Sequence, residues 1–257
     1  MDKASWKARR DLSSGGNSMP LRAVRYRMRR AVSAYEPRKR LIEAGLDLFG
    51  KYSFDGARTR MLARRAQVNL AAITYYFGGK QGLYLAVADH IVEEINKLLE
   101  PRLAKVQEAL KTEALSKEES FHLLCDLLEF LISRFIGRAQ TEKWLSIIVR
   151  EQLFPTEAFG ILFEGFMKPL NEALFGLAAH IMDQGPDDQE VKLRVLAVVG
   201  GIQIFNISPS TVKRTLNWES YGPENLDEIR SVIMENLKRI FSIFPNCSGA
   251  RADVRQV

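Results

Sequence analysis

Apolar residues recur along this chain at spacings of three and four, and nowhere in the alternation of two that marks a half-buried strand. Leu41, Ala44, Leu48 and Tyr52 form one stripe, with Gly45 and Phe49 beside it. Pro37 suits the first turn of the helix they predict, because its missing N–H has no partner there anyway. Asp55-Gly56 marks a turn. A second helix is predicted from about Arg58 to Ala66, burying Leu62, Ala63 and Ala66. Gln67-Val68 is a tight turn into a third, with Asn69 as its expected N-cap. Ile73, Tyr76 and Phe77 face inward, and Gly78-Gly79 ends that helix before Lys80 opens the next. Two short helices joined so tightly, behind a supporting first one, form a helix-turn-helix.

From Gln81 onward every segment reads as helix. Leu83–Leu99 is long, with Pro101 breaking or kinking it. Phe121–Ile136 follows, then Glu142–Phe154, capped by Thr141 and stopped by Pro155, then Glu157–Met182. Gln189–Ile207 is almost wholly apolar and therefore buried or at an interface. Asn225–Phe244 carries Leu226, Ile229, Ile233, Leu237 and Ile240 along one face. These last two helices hold more apolar surface than a monomer hides comfortably. They, or one of them with Glu157–Met182, are expected to pack on their twofold mates in a four-helix interface. On that reading, charges placed at Ile229 and Ile233 would yield monomers.

Charge divides the chain at the same point as the helix pattern. Residues 1–82 hold 18 Lys/Arg against 6 Asp/Glu, and residues 83–257 hold 19 against 25, within an overall +6. A basic first module joined to an acidic second one points to a polyanionic partner for the first alone. Residues 1–36 contain nine Lys/Arg and a Ser-Ser-Gly-Gly-Asn cluster, and read as a mostly disordered arm. Arg22, Arg25, Arg27, Arg29 and Arg30 are dense enough to meet phosphate or enter a minor groove. The same stretch reads equally well as a solvated tail or an upstream extension, with Met19 or Met28 as the start.

The remaining chemistry is sparse. No run of about 18 uncharged apolar residues spans a bilayer, and the N-terminus lacks the apolar stretch of a secretory signal. Cys125 and Cys247 follow no metal or redox spacing, which suits a reduced, cytoplasmic protein. His122 and Cys125 are three apart but have no third ligand nearby, so they read as core residues rather than a metal site. His90 and His180 stand alone, and Arg150-Glu151 reads as a structural ion pair. No nucleophile triad, carboxylate pair or phosphate loop stands out, so neither an enzyme nor a cofactor is expected.

The stretch Arg38–Leu83 resembles the DNA-binding domain of the TetR family. The matching pieces are Leu41-Ile42-Glu43-Ala44 with Leu48-Phe49, Gly56, Leu62-Ala63 with Ala66, and Val68-Asn69. Ala71-Ala72-Ile73-Thr74-Tyr75-Tyr76-Phe77, then Lys80 and Leu83-Tyr84, complete the pattern. The Asn-Leu-Ala-Ala-Ile-Thr-Tyr-Tyr-Phe form is similar to the CecR-like subgroup. So are Arg150-Glu151-Gln152-Leu153 with Pro155-Thr156, and Pro169-Leu170, in the second half. Two positions depart from the family. Ala57 and Arg58 stand where Thr or Ser usually precedes helix two, with Thr59 after them. Gln67 stands where the inter-helix turn usually has Gly, at a cost of about 1 kcal/mol for a left-handed non-glycine residue.

The resemblance implies an all-α protein with a helix-turn-helix domain and a larger helical domain for effector binding and dimerisation. The expected boundaries are 1–36 for the arm, 37–82 for the DNA module, 83–244 for the effector module and 245–257 for a frayed tail. It implies a bacterial, cytoplasmic homodimer, with no membrane contact, on a pseudo-palindromic duplex operator. A small molecule would release a repressor of this kind by favouring a conformer with wrongly spaced recognition helices. An activator, or a regulator without effector, is the alternative; a helical scaffold with a membrane- or RNA-binding N-terminus is a further one.

On the DNA side the expected contacts are Arg58, Thr59 and Arg60 from helix two, and Asn69, Leu70, Ala71, Thr74, Tyr75, Tyr76 and Lys80 around helix three. Arg64 could add a contact, whereas Arg65 reads as a solvated face. Tyr76 fits either a phosphate contact or the core. Helix three exposes no Arg, Gln or Glu, so the bidentate readers of guanine and adenine are missing apart from Asn69. Discrimination must lean on Thr74, on apolar contact of Ala71 or Leu70 with thymine methyls, and on DNA shape. Candidate effector contacts are Phe121, Trp144, Phe163, Phe166 and Phe205, with Arg150, Gln152 and Gln203 as polar anchors, which suits a bulky, mostly apolar molecule.

Overall fold

The computed structural model describes residues 21–112 and 114–241, with side chains from residue 36 onward except 139 and 140. Among the described residues there are helices and turns but no strand. The first four helices are α1 (Leu21–Gly56), α2 (Thr59–Ala66), α3 (Ala71–Phe77) and α4 (Lys80–Leu110). Then come α5 (Lys117–Phe135), α6 (Ala139–Leu153), α7 (Glu157–Leu162) and α8 (Lys168–Met182). The last three are α9 (Gln189–Ile207), α10 (Pro209–Leu216) and α11 (Pro223–Ile240). Residues 1–20 and 242–257 lie outside this description, and with them the tail, Cys247 and most of the expected arm; the side chains of Arg22 to Arg30 do too.

Helix α1 does not begin at Pro37: it runs from Leu21 and contains the proline. A missing N–H removes one hydrogen bond and bends a helix, but does not end it when turns on both sides continue. The described part of the expected arm is therefore helical backbone. The break comes instead at Ser53, with φ at 65°. Ala57 N–H then returns to the Ser53 carbonyl at 3.1 Å, two residues before the expected Asp55-Gly56 turn takes effect.

The core of the helix-turn-helix module includes Leu41, Phe49, Leu62, Ile73 and Leu83, all fully buried or nearly so. It orients three helices at once. Gln67 takes the left-handed conformation (φ 54°, ψ 47°) that glycine takes more cheaply. The turn keeps its geometry because both carbonyl partners are present: Gln67 N–H to Arg64 O at 3.2 Å and Val68 N–H to Ala63 O at 3.0 Å. This is the paired 5→2 and 6→1 closure of a Schellman motif. Arg58 caps α2 without a side-chain hydrogen bond, as a residue with no short oxygen must.

Behind this module α4 forms a long connecting helix, and Pro101 lies within it rather than ending it. Helices α5, α8, α9 and α11 pack together beside α4, while α6 lies against α1. Gly50 permits that last approach, since a Cβ there would sit 3.3 Å from the Lys143 backbone oxygen. Thr141 does not cap α6; its hydroxyl donates to Arg138 O at 2.9 Å, inside a helix already begun at Ala139.

The predicted helix Glu157–Met182 is interrupted by a π-turn, Phe163–Met167. Within that turn the Gly165 carbonyl accepts from Asn96 Nδ2 of α4 at 3.0 Å. Helix α10, which no apolar stripe announced, turns 85° away from α9.

Ile229 and Ile233 are 3% and 7% exposed, inside the protomer's own core. They are not interface positions, because α11 lays its stripe on α5 and α9 of the same chain. On these two helices the exposed large apolar side chains are instead Leu193, Leu196, Ile204 and Ile207 of α9 and Val232 of α11.

The turn from α3 to α4 sets the orientation of the recognition helix, and Gly82 allows it: a Cβ there would fall 1.8 Å from the Phe77 carbonyl oxygen. Gly82→Ala is expected to destabilise the protein by about 1–3 kcal/mol through forced backbone displacement. In urea unfolding this appears as a lower midpoint at unchanged slope.

Candidate nucleic-acid interface and the cavity behind it

The exposed side of α3 is built by its own short-range geometry. Asn69 accepts Ala71 N–H on Oδ1 at 2.9 Å, and its backbone carbonyl accepts Ala72 N–H at 2.9 Å. Asn69 is thus the N-cap expected from the sequence, and Leu70 already lies in the helical region. The cap has a chemical consequence. Bidentate reading of adenine uses both the oxygen and the nitrogen of a carboxamide, and here the oxygen is committed to the helix.

Beyond the cap, Leu70, Ala71, Thr74 and Tyr75 are exposed, Tyr75 at 81%. Tyr76 is half-buried and meets Tyr75 edge-on at 4.9 Å. The ammonium of Lys80 lies over the Phe54 ring at 4.4 Å, which steadies it at the end of α3. Arg58, Arg60 and Arg64 are exposed along α2, with Thr59 half-buried between the first two. Arg65 is paired with Asp47 of α1. The residues expected to contact DNA are therefore all exposed or half-buried at the surface of the module.

Three connections join this module to the helices behind it. Asp47 also pairs with Lys143 of α6. Partial burial pushes its pKa up, but Lys143 and Arg65 outweigh this and hold it below the usual carboxylate range. Arg150 of α6 donates from Nη1 to the Phe49 carbonyl at 2.9 Å. Glu151, 1% exposed, accepts the Tyr84 hydroxyl on Oε1 at 2.7 Å. Its Oε2 accepts Thr156 N–H and the Thr156 hydroxyl, each at 2.9 Å. Burial, together with the bond to the carboxylate, pushes the Tyr84 phenol pKa up, so it stays a donor. Arg150 and Glu151 do not pair with each other as their adjacency suggested: successive residues on a helix point about 100° apart.

Between α4, α6, the π-turn, α8 and α9 lies a cavity of about 260 Å³. Of the residues expected around an effector, Gln152, Phe163, Phe166 and Gln203 line it. The other four do not. Phe121 is half-buried against the core, and Trp144 is buried beside the Asp47 cluster. Arg150 and Phe205 line a neighbouring cleft next to α10, where the Tyr221 hydroxyl donates to Phe205 O at 2.9 Å. Apolar periodicity marks a side chain as inward-facing but does not say which interior it enters. The sequence reading missed Asn171 and Asn206, two further carboxamides on the cavity wall. Lone asparagines on helices carry no distinguishing pattern.

No group of three His, Cys, Asp or Glu able to hold a metal occurs among the described residues. His180 Nδ1 is engaged with the Ser120 hydroxyl at 2.8 Å. The Cys125 thiol is pushed up to about 11 by burial and by Glu129 and Asp126, which leaves it inert near neutral pH. No single helix among the described residues is long and apolar enough to cross a membrane.

Family comparisons bear on the same two regions. The model of bacterial regulatory proteins of the tetR family matches residues 41–87, and that of the C-terminal domain of the HTH-type transcriptional dual regulator CecR matches residues 122–242. The chain belongs to the TetR family. It is a DNA-binding transcriptional regulator, and its relatives are transcriptional regulators. The dual regulator CecR of Shigella flexneri is 29% identical over 202 residues, 79% of this chain and 90% of that protein.

Solved structures that share the fold include the following two. A transcriptional regulator from Rhodococcus sp. Rha1 has a TM-score of 0.53 at 15% identity, covering 79% of this chain and 96% of that one. FadR from Bacillus subtilis, in complex with stearoyl-CoA, has a TM-score of 0.50 at 15% identity, covering 77% and 96%. At such identities the likeness is one of fold alone.

Proposed function

We propose that this TetR-family protein is a ligand-responsive repressor. It binds a pseudo-palindromic operator as a homodimer and leaves it when a small molecule occupies the cavity. The DNA module is residues 37–82, and the effector and dimerisation module is 83–244. The observation that carries the reading is the Arg150-Glu151-Gln152 tripeptide of α6. Arg150 holds the end of α1, Glu151 holds Tyr84 near the start of α4, and Gln152 lines the cavity. Three adjacent residues on one rigid element thus touch both sites, so a shift of α6 on ligand entry moves the DNA module. The relative from Shigella flexneri is named a dual regulator, which favours a second reading in which some promoters are activated. A promoter-reporter comparison of wild type and deletion strain separates the two by the direction of change.

The DNA face reads bases weakly and phosphates strongly. Thr74, Ala71 and Leu70 meet base edges, Tyr75 and Lys80 meet phosphates, and Arg58 or Arg60 adds a contact from α2. Dimerisation uses α9 and α11, where Leu193, Ile204 and Val232 are 58%, 46% and 57% exposed without a partner. A twofold axis there sets the recognition helices about 34–36 Å apart, one turn of DNA.

Four measurements test these assignments. Tyr84→Phe keeps the ring packed but removes its bond to Glu151; operator affinity, followed by fluorescence anisotropy, is expected to fall at least about fivefold, the low end of coupling energies. Unchanged operator affinity would remove Glu151 from the coupling. Lys80→Ala is expected to weaken binding to operator and random duplex alike and to flatten the salt dependence by about one counterion. Thr74→Ala should instead change preference at one base position in a selected-sequence assay. Ile204→Glu combined with Val232→Glu is expected to give folded monomers in analytical ultracentrifugation that lose operator binding; a stable dimer would place the interface elsewhere.

A further inference from the structure

The cavity wall carries information about charge. None of the side chains around the 260 Å³ space is an Asp, Glu, Lys, Arg or His. Its polar groups are four carboxamides: Gln152 from the end of α6, Asn171 from α8, and Gln203 and Asn206 from α9. Among the described residues none of the four side chains makes a hydrogen bond. The rest of the wall is aliphatic and aromatic, including Phe163 stacked on Phe159 at 5.8 Å. The unused donors and acceptors belong to neutral groups and come from three helices.

We infer that the cavity takes an uncharged amphiphile, an apolar body carrying amide, ester, hydroxyl or carbonyl groups, and discriminates against carboxylates and ammonium ions. This rests on the proposed effector role of the cavity. The physical reason is desolvation. The space is open on the side of Gln152, Leu196 and Ile207, but an ion that enters exchanges much of its water shell for apolar side chains and meets no charged side chain on the wall. Carboxamides offer a carboxylate their N–H groups and an ammonium their oxygens, but partial charges recover only part of the lost hydration. The aromatic faces attract a cation, yet that attraction is smaller than the penalty of desolvating it without a counter-charge. A neutral polar group loses far less on entry and regains its hydrogen bonds from the same four side chains. Each carboxamide is both donor and acceptor, so the set accommodates several neutral chemistries.

The test uses the full-length protein and three probes that share a ten-carbon chain: decanamide, decanoic acid and decylamine. Isothermal titration calorimetry at pH 7.4 is expected to give decanamide a dissociation constant at least tenfold below those of the two ions. Gln203→Glu places a carboxylate on the wall and should reverse the order between decanamide and decylamine, while thermal unfolding reports that the variant is folded. A Gln203→Leu variant that still folds should lose affinity for the amide and gain none for the ions. Equal or tighter binding of either ion to the wild type, or binding of none of the three probes, overturns the inference. The outcome is separable from the repressor reading. Amide binding that leaves operator affinity untouched counts against ligand responsiveness and supports the neutral cavity. An ion that binds best and releases operator does the reverse.

Discussion

The buried carboxylate of Glu151 is the constraint around which the two halves of this protein are organised. An ion removed from water survives only if its oxygens are filled by hydrogen bonds. Glu151 obtains them from three groups on two separate elements: the Tyr84 hydroxyl on α4, and the backbone and hydroxyl of Thr156 at the start of α7. Displacing α4 or α7 alone would leave a charge buried with a partner missing, a cost of about 1–3 kcal/mol or more. The helices therefore move together. Tyr84 also packs edge-on against Phe49 at 4.9 Å, so the connection reaches α1 and the DNA module through an apolar contact as well as a polar one.

A second link to α4 lies farther along the cavity wall. In the π-turn the Gly165 carbonyl accepts from Asn96, and Gly165 lets α4 approach so closely that a Cβ there would lie 2.6 Å from Val92. Phe163 and Phe166, from the same turn, line the cavity. A helix carrying one extra residue per turn has a neighbouring arrangement, the regular α-helix, from which it differs by a local shift of register. The cavity is therefore walled in part by an irregular helical turn, and α4 is bonded to that turn.

On the DNA side the structure narrows the chemistry further than composition does. The recognition helix is only seven residues long, and its one amide side chain spends its oxygen on the N-cap. What remains exposed is two apolar residues, one hydroxyl and a tyrosine, a set suited to methyl contacts, groove shape and phosphate positioning. The basic side chains available to a phosphate backbone lie mainly along α2 and at Lys80.

The helix-turn-helix was legible because its signals are local: an i, i+3, i+7 stripe, an Asn cap, a two-residue turn and a glycine pair each act within one or two turns of chain. The Gln67 turn and the Asn69 cap follow from backbone geometry that neighbouring residues dictate. The all-helical class and most helix boundaries were legible for the same reason. What escaped was decided by contacts distant in sequence. Ile229 and Ile233 carry the same apolar stripe whether they face the protomer's core or a twofold mate, and only the packing of α5 and α9 assigned them to the core. Pro37 and Pro101 are helix breakers in isolation, yet surrounding turns carry both helices through. Arg150 and Glu151 look like a pair in sequence and are divided by helical geometry between the Phe49 carbonyl and Tyr84. Periodicity depends on what each residue prefers, and so sequence alone determines it; the choice of partner depends on which surfaces arrive at the same place, and only the tertiary structure brings them there.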